Sequence, residues 1–122
     1  MVEILNETRG FKISRDATMR DTFLGRFRGL MLSGRKDIVL AVEQEGILES
    51  TIHMMWMLYP IDVIWADKDM TVVDVQLDIP PFNPVKSGTW RMYKPRAAAK
   101  YVIEVAEGDV KDTRQGDKIR FN

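Results

Sequence analysis

Two carboxylates stand inside apolar runs of this 122-residue sequence. Asp62 lies in the run 59–65, YPIDVIW, and Glu104 lies in the run 101–105, YVIEV. Burying a carboxylate is costly unless a cation or hydrogen-bond donors compensate it, so each needs a partner. The candidate partners of Asp62 are the cations Arg26, Arg28 and His53 and the backbone N–H groups around Pro60.

These two carboxylates allow two interpretations. They could form an acid/base pair of the kind that glycosidases use, with Asp62 or Glu104 as general base and His53 or an arginine as its electrostatic partner. Alternatively, they are structural ion pairs at the rim of the fold, because such pairs also perturb pKa values. The sequence leaves their separation open.

Arg26 and Arg28 lie in the segment 26–31, RFRGLM. At helical spacing its apolar residues turn inward and the two arginines flank them. Their guanidinium groups could then reach the rim of a pocket and hold an anion or Asp62. The alternative is favourable placement of cations at a helix C-terminus, and the two interpretations are compatible.

The segment 52–57, IHMMWM, holds the one histidine of the chain, His53. Imidazole and thioether ligands together suit Cu(I), so a soft-metal site is one interpretation. The other is that methionine fills gaps in a β core while His53 hydrogen-bonds a buried partner. Without cysteine a thiolate zinc site is excluded, and we expect no metal and no cofactor.

The segment 90–96, WRMYKPR, alternates aromatic and basic residues. This pattern is typical of surfaces that stack single-stranded nucleic acid. The residues concerned are Trp90, Arg91, Tyr93, Lys94 and Arg96. We favour a sheet edge guarded by bases and proline, because the chain has 18 basic and 18 acidic residues and lacks a strongly basic surface.

Short apolar runs predict the elements that must position these residues. Nine segments are rich in Val, Ile, Trp and Tyr and predict strands: Val2–Leu5, Phe11–Ser14, Ile38–Val42, Ile47–Met57, Ile61–Ala66, Thr71–Leu77, Thr89–Tyr93, Tyr101–Val105 and Lys118–Phe121. Capping-box spacing at Thr18 and Asp21, followed by an apolar stripe, predicts one helix that begins at Thr18. We therefore expect a mainly β fold, bordering on α+β: a compact antiparallel β-sandwich or barrel with one α-helix packed across it.

Composition limits the class of protein. The length fits a single domain spanning residues 1–122, and no apolar run reaches the ~18 residues that a membrane helix needs. The N-terminus lacks the pattern of a signal peptide. We therefore expect a soluble, cytoplasmic protein without a membrane partner; its oligomeric state stays open.

Several short motifs carry a family resemblance. They are RGLM at 28–31, IHM at 52–54, PIDVI at 60–64, EVAEG at 104–108 and GDKI at 116–119. In this order and spacing the chain resembles the domain-of-unknown-function 192 family, also called uncharacterised protein family 0127. Many bacterial members have WMKNT before PLD, whereas this chain has HMMWM before PID, a variant that resembles the archaeal branch. The resemblance implies one β-rich, sandwich-like domain and no established activity, substrate or cofactor.

The functional hypothesis is a pocket where the helix end meets the strands. It would bind a small molecule or an anion through Arg26, Arg28, His53, Asp62 and Glu104. An enzyme with Asp62 or Glu104 as general base is the alternative, and a weak single-stranded nucleic-acid binder is a further one.

Overall fold

The structure is a computed structural model that describes residues 2–21, 37–53, 59–81, 83–89 and 92–122. Nine strands are present in this part of the chain: β1 Val2–Asn6, β2 Phe11–Asp21, β3 Asp37–Gly46, β4 Ile52–His53, β5 Ile61–Ala66, β6 Val72–Ile79, β7 Met92–Tyr93, β8 Ala99–Ala106 and β9 Ile119–Phe121. Each overlaps a predicted strand, and the prediction of a mainly β fold is confirmed. The predicted strands are wrong over residues 47–50, which form a turn, and at Thr89, which lies in a 3₁₀ turn. A single turn of 3₁₀ helix, Ser87–Thr89, is the one helical element of the described residues.

Seven strands form one sheet in the order β6-β5-β8-β3-β2-β1-β9, and β4 pairs with β7 in a small separate sheet. All pairs are antiparallel except β2 and β3, which run parallel. The two edges of the large sheet meet at a bridge between Thr71 and Lys118. The amide of Ile119 also donates to the carbonyl of Met70 at 2.9 Å. The sheet therefore curls into a half-barrel that is joined at one end.

The predicted start of the helix is wrong. Residues 18–21 continue β2, where Thr18 pairs with Ile38 and Asp21 pairs with Ala41. The ladder to β3 supplies backbone hydrogen bonds that a local capping signal cannot match, so tertiary pairing overrides it. The rest of the predicted helix, including Arg26 and Arg28, lies outside the described residues.

The large sheet has two buried faces. The inner face carries Val39, Ile64 and Ile103 and belongs to a cluster with members on both edges of the sheet, so it lines the inside of the curl. The outer face carries Ile38 and Val63 and packs under the small β4–β7 sheet. All six residues of β5 are buried, and residues 63–66 are apolar in succession, as in a strand covered on both faces.

Turns between the strands follow their side-chain chemistry. The carboxylate of Asp67 accepts from the amides of Asp69 and Thr71 at 2.9 and 3.0 Å, which closes the β5–β6 hairpin. The fully buried Trp65 donates its indole N–H to the carbonyl of Ser50 at 2.8 Å, which anchors the turn between β3 and β4. No helix among the described residues is long and apolar enough to cross a membrane.

Candidate functional site

Among the described residues, the groups that compensate Asp62 are backbone amides. Its two oxygens accept from the N–H of Asp78 at 2.8 Å and from the N–H of Gly108 at 2.9 Å. Both donors have left-handed backbone, with φ of 57° at Asp78 and 92° at Gly108. The side chain is 2% exposed. Asp62 therefore ties the end of β6 to the turn after β8, and this explains why an acid is tolerated in its apolar run.

The expectation of amide donors to Asp62 was correct in kind, but their location differs. They come from two turns distant in sequence and not from the residues around Pro60. Since each oxygen already accepts a backbone hydrogen bond, the carboxylate is held in a structural role.

Glu104 occupies a different environment. It lies at the middle of β8, paired laterally with Ile38 of β3 and with Val63 of β5. Both neighbours belong to the apolar cluster of the outer face. Burial raises the pKa of the Glu104 carboxyl to about 7, and the residue is 9% exposed. Within the described part of the chain it has no hydrogen bond or ion pair.

The register between β5 and β8 separates the two predicted site carboxylates. Asp62 pairs with Val105, and Val63 pairs with Glu104. Since successive side chains of a strand project to opposite faces, Asp62 lies on the inner face and Glu104 on the outer face. The structure thus does not bring them together as an acid/base pair, and the two carboxylates cannot share one small ligand.

The outer face does bring β4 towards Glu104. Ile52 and Tyr93, which pair across the small sheet, both pack in the apolar cluster that contains Ile38 and Val63. His53 follows Ile52 in β4, but its side chain lies outside the described set, as do residues 54–58. The predicted proximity of His53 to Glu104 therefore remains a prediction at the level of side chains.

Two described residues of the aromatic and basic segment, Tyr93 and Arg96, are occupied within the fold. Tyr93 is 4% exposed and packs in the core of the outer face. Arg96 donates from Nε to Asp74 at 3.1 Å, and its own backbone N–H donates to the same carboxylate at 3.1 Å. Lys94 is exposed, while Trp90 and Arg91 lie outside the described residues. The buried ring of Tyr93 and the guanidinium of Arg96, which is paired with Asp74, are therefore unsuited to bind bases.

Sequence reasoning missed two further buried acids. Asp74, within the apolar run of β6, is 5% exposed and pairs with Arg96. Asp117 accepts from Arg9 Nε at 2.7 Å and from Asn6 Nδ2 at 3.0 Å. Both are fully compensated, so they hold the fold together. The signal that identified Asp62, an acid between apolar residues, was also present at Asp74.

Asp37, at the start of β3, is a half-buried acid. Burial is the main cause that raises its pKa, and the charges of Asp109 and Asp16 add to it, while a hydrogen bond from Ser14 opposes it. No group of three metal-ligating side chains occurs among the residues that the structure describes, so this acidic region offers no evident cation site. Among the buried carboxyls of the described residues, Glu104 is the one for which no partner is found.

Comparison with known proteins gives the family and the fold. The model of the domain-of-unknown-function 192 family, described as uncharacterized ACR, matches residues 4–121. A UPF0127 protein of Thermococcus kodakarensis is 39% identical over 97% of this chain and 72% of its own length. A UPF0127 protein of Pyrococcus abyssi is 36% identical, over 97% of this chain and 96% of its own length. Both organisms are archaea, which agrees with the archaeal variant of the motif at 53–57.

Two solved structures share the fold. A Sinorhizobium meliloti protein described as a "putative transcription regulator" superposes with a TM-score of 0.79 at 17% identity, covering 98% of this chain and 91% of that one. A protein of unknown function from Novosphingobium aromaticivorans superposes with a TM-score of 0.76 at 16% identity, covering 98% and 82%. At these identities the likeness concerns the fold alone.

Proposed function

Because the chain belongs to the domain-of-unknown-function 192 family, whose description assigns no activity, we propose a function from its own geometry. The protein is a small-molecule-binding module whose ligand donates a hydrogen bond to Glu104 on the outer face of the sheet. The observation that carries this proposal is the absence of any donor to Glu104 among the described residues.

A free carboxyl in this position is expensive for the fold. The buried acids Asp62, Asp74 and Asp117 each receive at least two hydrogen bonds, whereas Glu104 receives none from the described residues. Perturbed groups of this kind occur preferentially where a protein binds or reacts, because a ligand then supplies the missing partner. The stability lost in the free protein is recovered on binding.

The charge of Glu104 also selects the ligand. A carboxylate repels an anion placed beside it, so a donor or a cation fits this position better than the anion that the sequence suggested. Polar side chains lie two strands away on each side: Gln76 opposes Val63, and Thr18 opposes Ile38. At the usual strand spacing each is about 10 Å from Glu104 across the sheet, within reach of the polar groups of a small molecule.

The experiment is a thermal-shift screen at pH 8 with amines, sugars, nucleosides and organic anions. A ligand that binds only the native state raises the melting temperature. At a concentration of one hundred times its Kd, it increases the free energy of unfolding by about 2.7 kcal/mol. We expect a donor-bearing compound to give a shift that is lost in Glu104→Gln. The shift should persist in Glu43→Gln, which changes an exposed glutamate of β3 in the same way.

Two results would contradict this proposal. The first is a ligand whose shift survives Glu104→Gln unchanged. The second is a Glu104 carboxyl already neutralised by Arg26 or Arg28, which would appear as a large loss of stability in Arg26→Met or Arg28→Met that Glu104→Gln suppresses. In that case Glu104 has a structural partner and needs no ligand.

An enzyme with Glu104 as general base is a second candidate, favoured by its pKa of about 7, which suits proton transfer at neutral pH. Asp62 is less suited to this role, because both of its oxygens accept backbone hydrogen bonds. Any compound that binds should therefore be incubated with the wild type and with Glu104→Gln, and its conversion followed by NMR. Conversion by the wild type alone, with equal binding by both, would favour the enzyme.

A further inference from the structure

Among the described residues, the side chains that flank Glu104 provide no charge to balance its own. Ile38 and Val63 flank it on the neighbouring strands, and Val102 precedes it on the same face of β8. An ionised carboxylate among such neighbours is destabilised, whereas the protonated acid is tolerated. With its pKa raised by burial to about 7, the free site holds a proton over part of the neutral range.

Other ionisable groups share this face, but the structure records no bond from them to Glu104. Asp74, opposite Trp65, pairs with Arg96. Lys100, which alternation places on the same face of β8, donates to the carbonyls of Val42 and Glu43. Tyr59 and Tyr93 pack in the apolar cluster. Arg20 of β2 and His53 of β4 are the other ionisable residues whose strand positions place them near this face. Their side chains are outside the described part of the structure.

We propose that the site on the outer face exchanges the proton of Glu104 for the ammonium group of a small primary amine. This inference rests on the proposed function and names its ligand class. The exchange balances: the protonated carboxyl and an alkylammonium ion give a carboxylate–ammonium pair in the site and one proton released to solvent. The ammonium group supplies the positive charge and the donors that the described side chains flanking Glu104 lack.

The surroundings favour an alkylammonium ion over other cations. A divalent metal needs several hard oxygen or imidazole ligands, and the described residues offer no group of three. The apolar side chains beside Glu104 suit a short alkyl chain, because its burial removes apolar surface from water. A neutral alcohol could donate a hydrogen bond, but it would leave the ionised carboxylate without a counter-charge.

The experiment is calorimetric titration of the full chain with n-propylammonium chloride at pH 6.5, in two buffers of different ionisation enthalpy. The difference in heat counts the protons released for each probe bound. With a pKa near 7 the free carboxyl is about three-quarters protonated at this pH, so about three-quarters of a proton should be released for each probe bound. Because the proton competes with the ammonium ion, the apparent affinity should increase as the pH is raised towards 7, by up to tenfold per pH unit. Above pH 7 it should level off.

Matched probes and variants separate the outcomes. Tetramethylammonium has the charge without N–H donors, and n-propanol has the alkyl chain without the charge; both should bind at least tenfold more weakly. Glu104→Gln should lose binding of propylammonium and the linked proton, and Glu43→Gln should keep both. A melting curve for each variant verifies that it is folded.

Three results would overturn the exchange. Binding of propylammonium without proton release shows that Glu104 is already ionised in the free site. If propanol or tetramethylammonium binds as tightly as propylammonium, the site does not require both the positive charge and the N–H donors of the ligand. No binding of propylammonium at about 10 mM, a concentration at which even a weak site is partly occupied, excludes amines as the ligand class. In each case a hit in the thermal-shift screen that depends on Glu104 would leave the proposed function standing.

Discussion

Replacing Glu104 by glutamine should stabilise the protein relative to wild type in a way that depends on pH. Burial raises the pKa of this carboxyl from its ordinary value of 4.5 to about 7. The native state therefore holds its proton where the unfolded chain has already lost it. The wild type keeps its full stability below pH 4.5, loses it as the pH rises towards 7, and stays at the lower value above that.

The magnitude follows from the two pKa values. They differ by about 2.5, and each unit corresponds to 1.36 kcal/mol, so ionisation should cost the native state about 3 kcal/mol. Glutamine matches the shape of the protonated acid and does not titrate. The melting temperature of Glu104→Gln minus that of the wild type should therefore increase by about 10 °C between pH 4.5 and pH 8.

Thermal unfolding followed by circular dichroism at half-unit pH intervals measures this difference directly. Glu43→Gln serves as the control, because its exposed side chain should leave the shape of the wild-type curve unchanged. Parallel curves for the wild type and Glu104→Gln across the whole range would refute the reasoning. They would show that a partner compensates the carboxylate in the folded protein.

The compensated carboxylates lead to three further predictions. Asp62→Asn removes one acceptor oxygen and should lower the free energy of unfolding by about 1–3 kcal/mol at pH 7. Hydrogen exchange should become faster at the amide of Gly108 or of Asp78, and unchanged exchange at both amides would contradict the structural role of Asp62. Asp74→Ala should destabilise the protein more than Arg96→Ala, since the arginine side chain is 64% exposed and the aspartate 7%; equal melting temperatures would contradict this order. Burial would raise the pKa of Asp117, but its hydrogen bonds outweigh burial and lower the pKa, so the carboxylate stabilises the fold above pH 3.8 and this stabilisation is lost as the pH falls below that value. The melting temperature of Asp117→Asn should therefore lie below that of the wild type at neutral pH, and the difference should shrink as the pH falls below 3.8. A difference that stays constant with pH would contradict this.

Strand positions were predictable because their signal is local. Residues 63–66 are apolar in succession, and all six residues of β5 are buried. The capping-box spacing at Thr18 was misleading, because the decisive hydrogen bonds run from β2 to β3 across about twenty residues of chain. No sequence window of helical length contains that information.

The candidate site was predictable in its members but not in its arrangement. Asp62 and Glu104 carry the same local signal, an acid in an apolar strand. The register of β5 against β8 determines that they lie on opposite faces, and a shift of one residue would have placed them together. The donors of Asp62 come from two turns distant in sequence, so their position depends on the complete topology.

The central claim is that Glu104 is an uncompensated carboxyl in the ligand-free protein. The most direct measurement is an NMR titration of its side-chain carboxyl carbon, assigned by comparison with Glu104→Gln. The structure predicts a midpoint near pH 7. A midpoint at or below the ordinary glutamate value of 4.5 would show that a positive charge or hydrogen-bond donors already hold the carboxylate, and the ligand site proposed on the outer face would be contradicted.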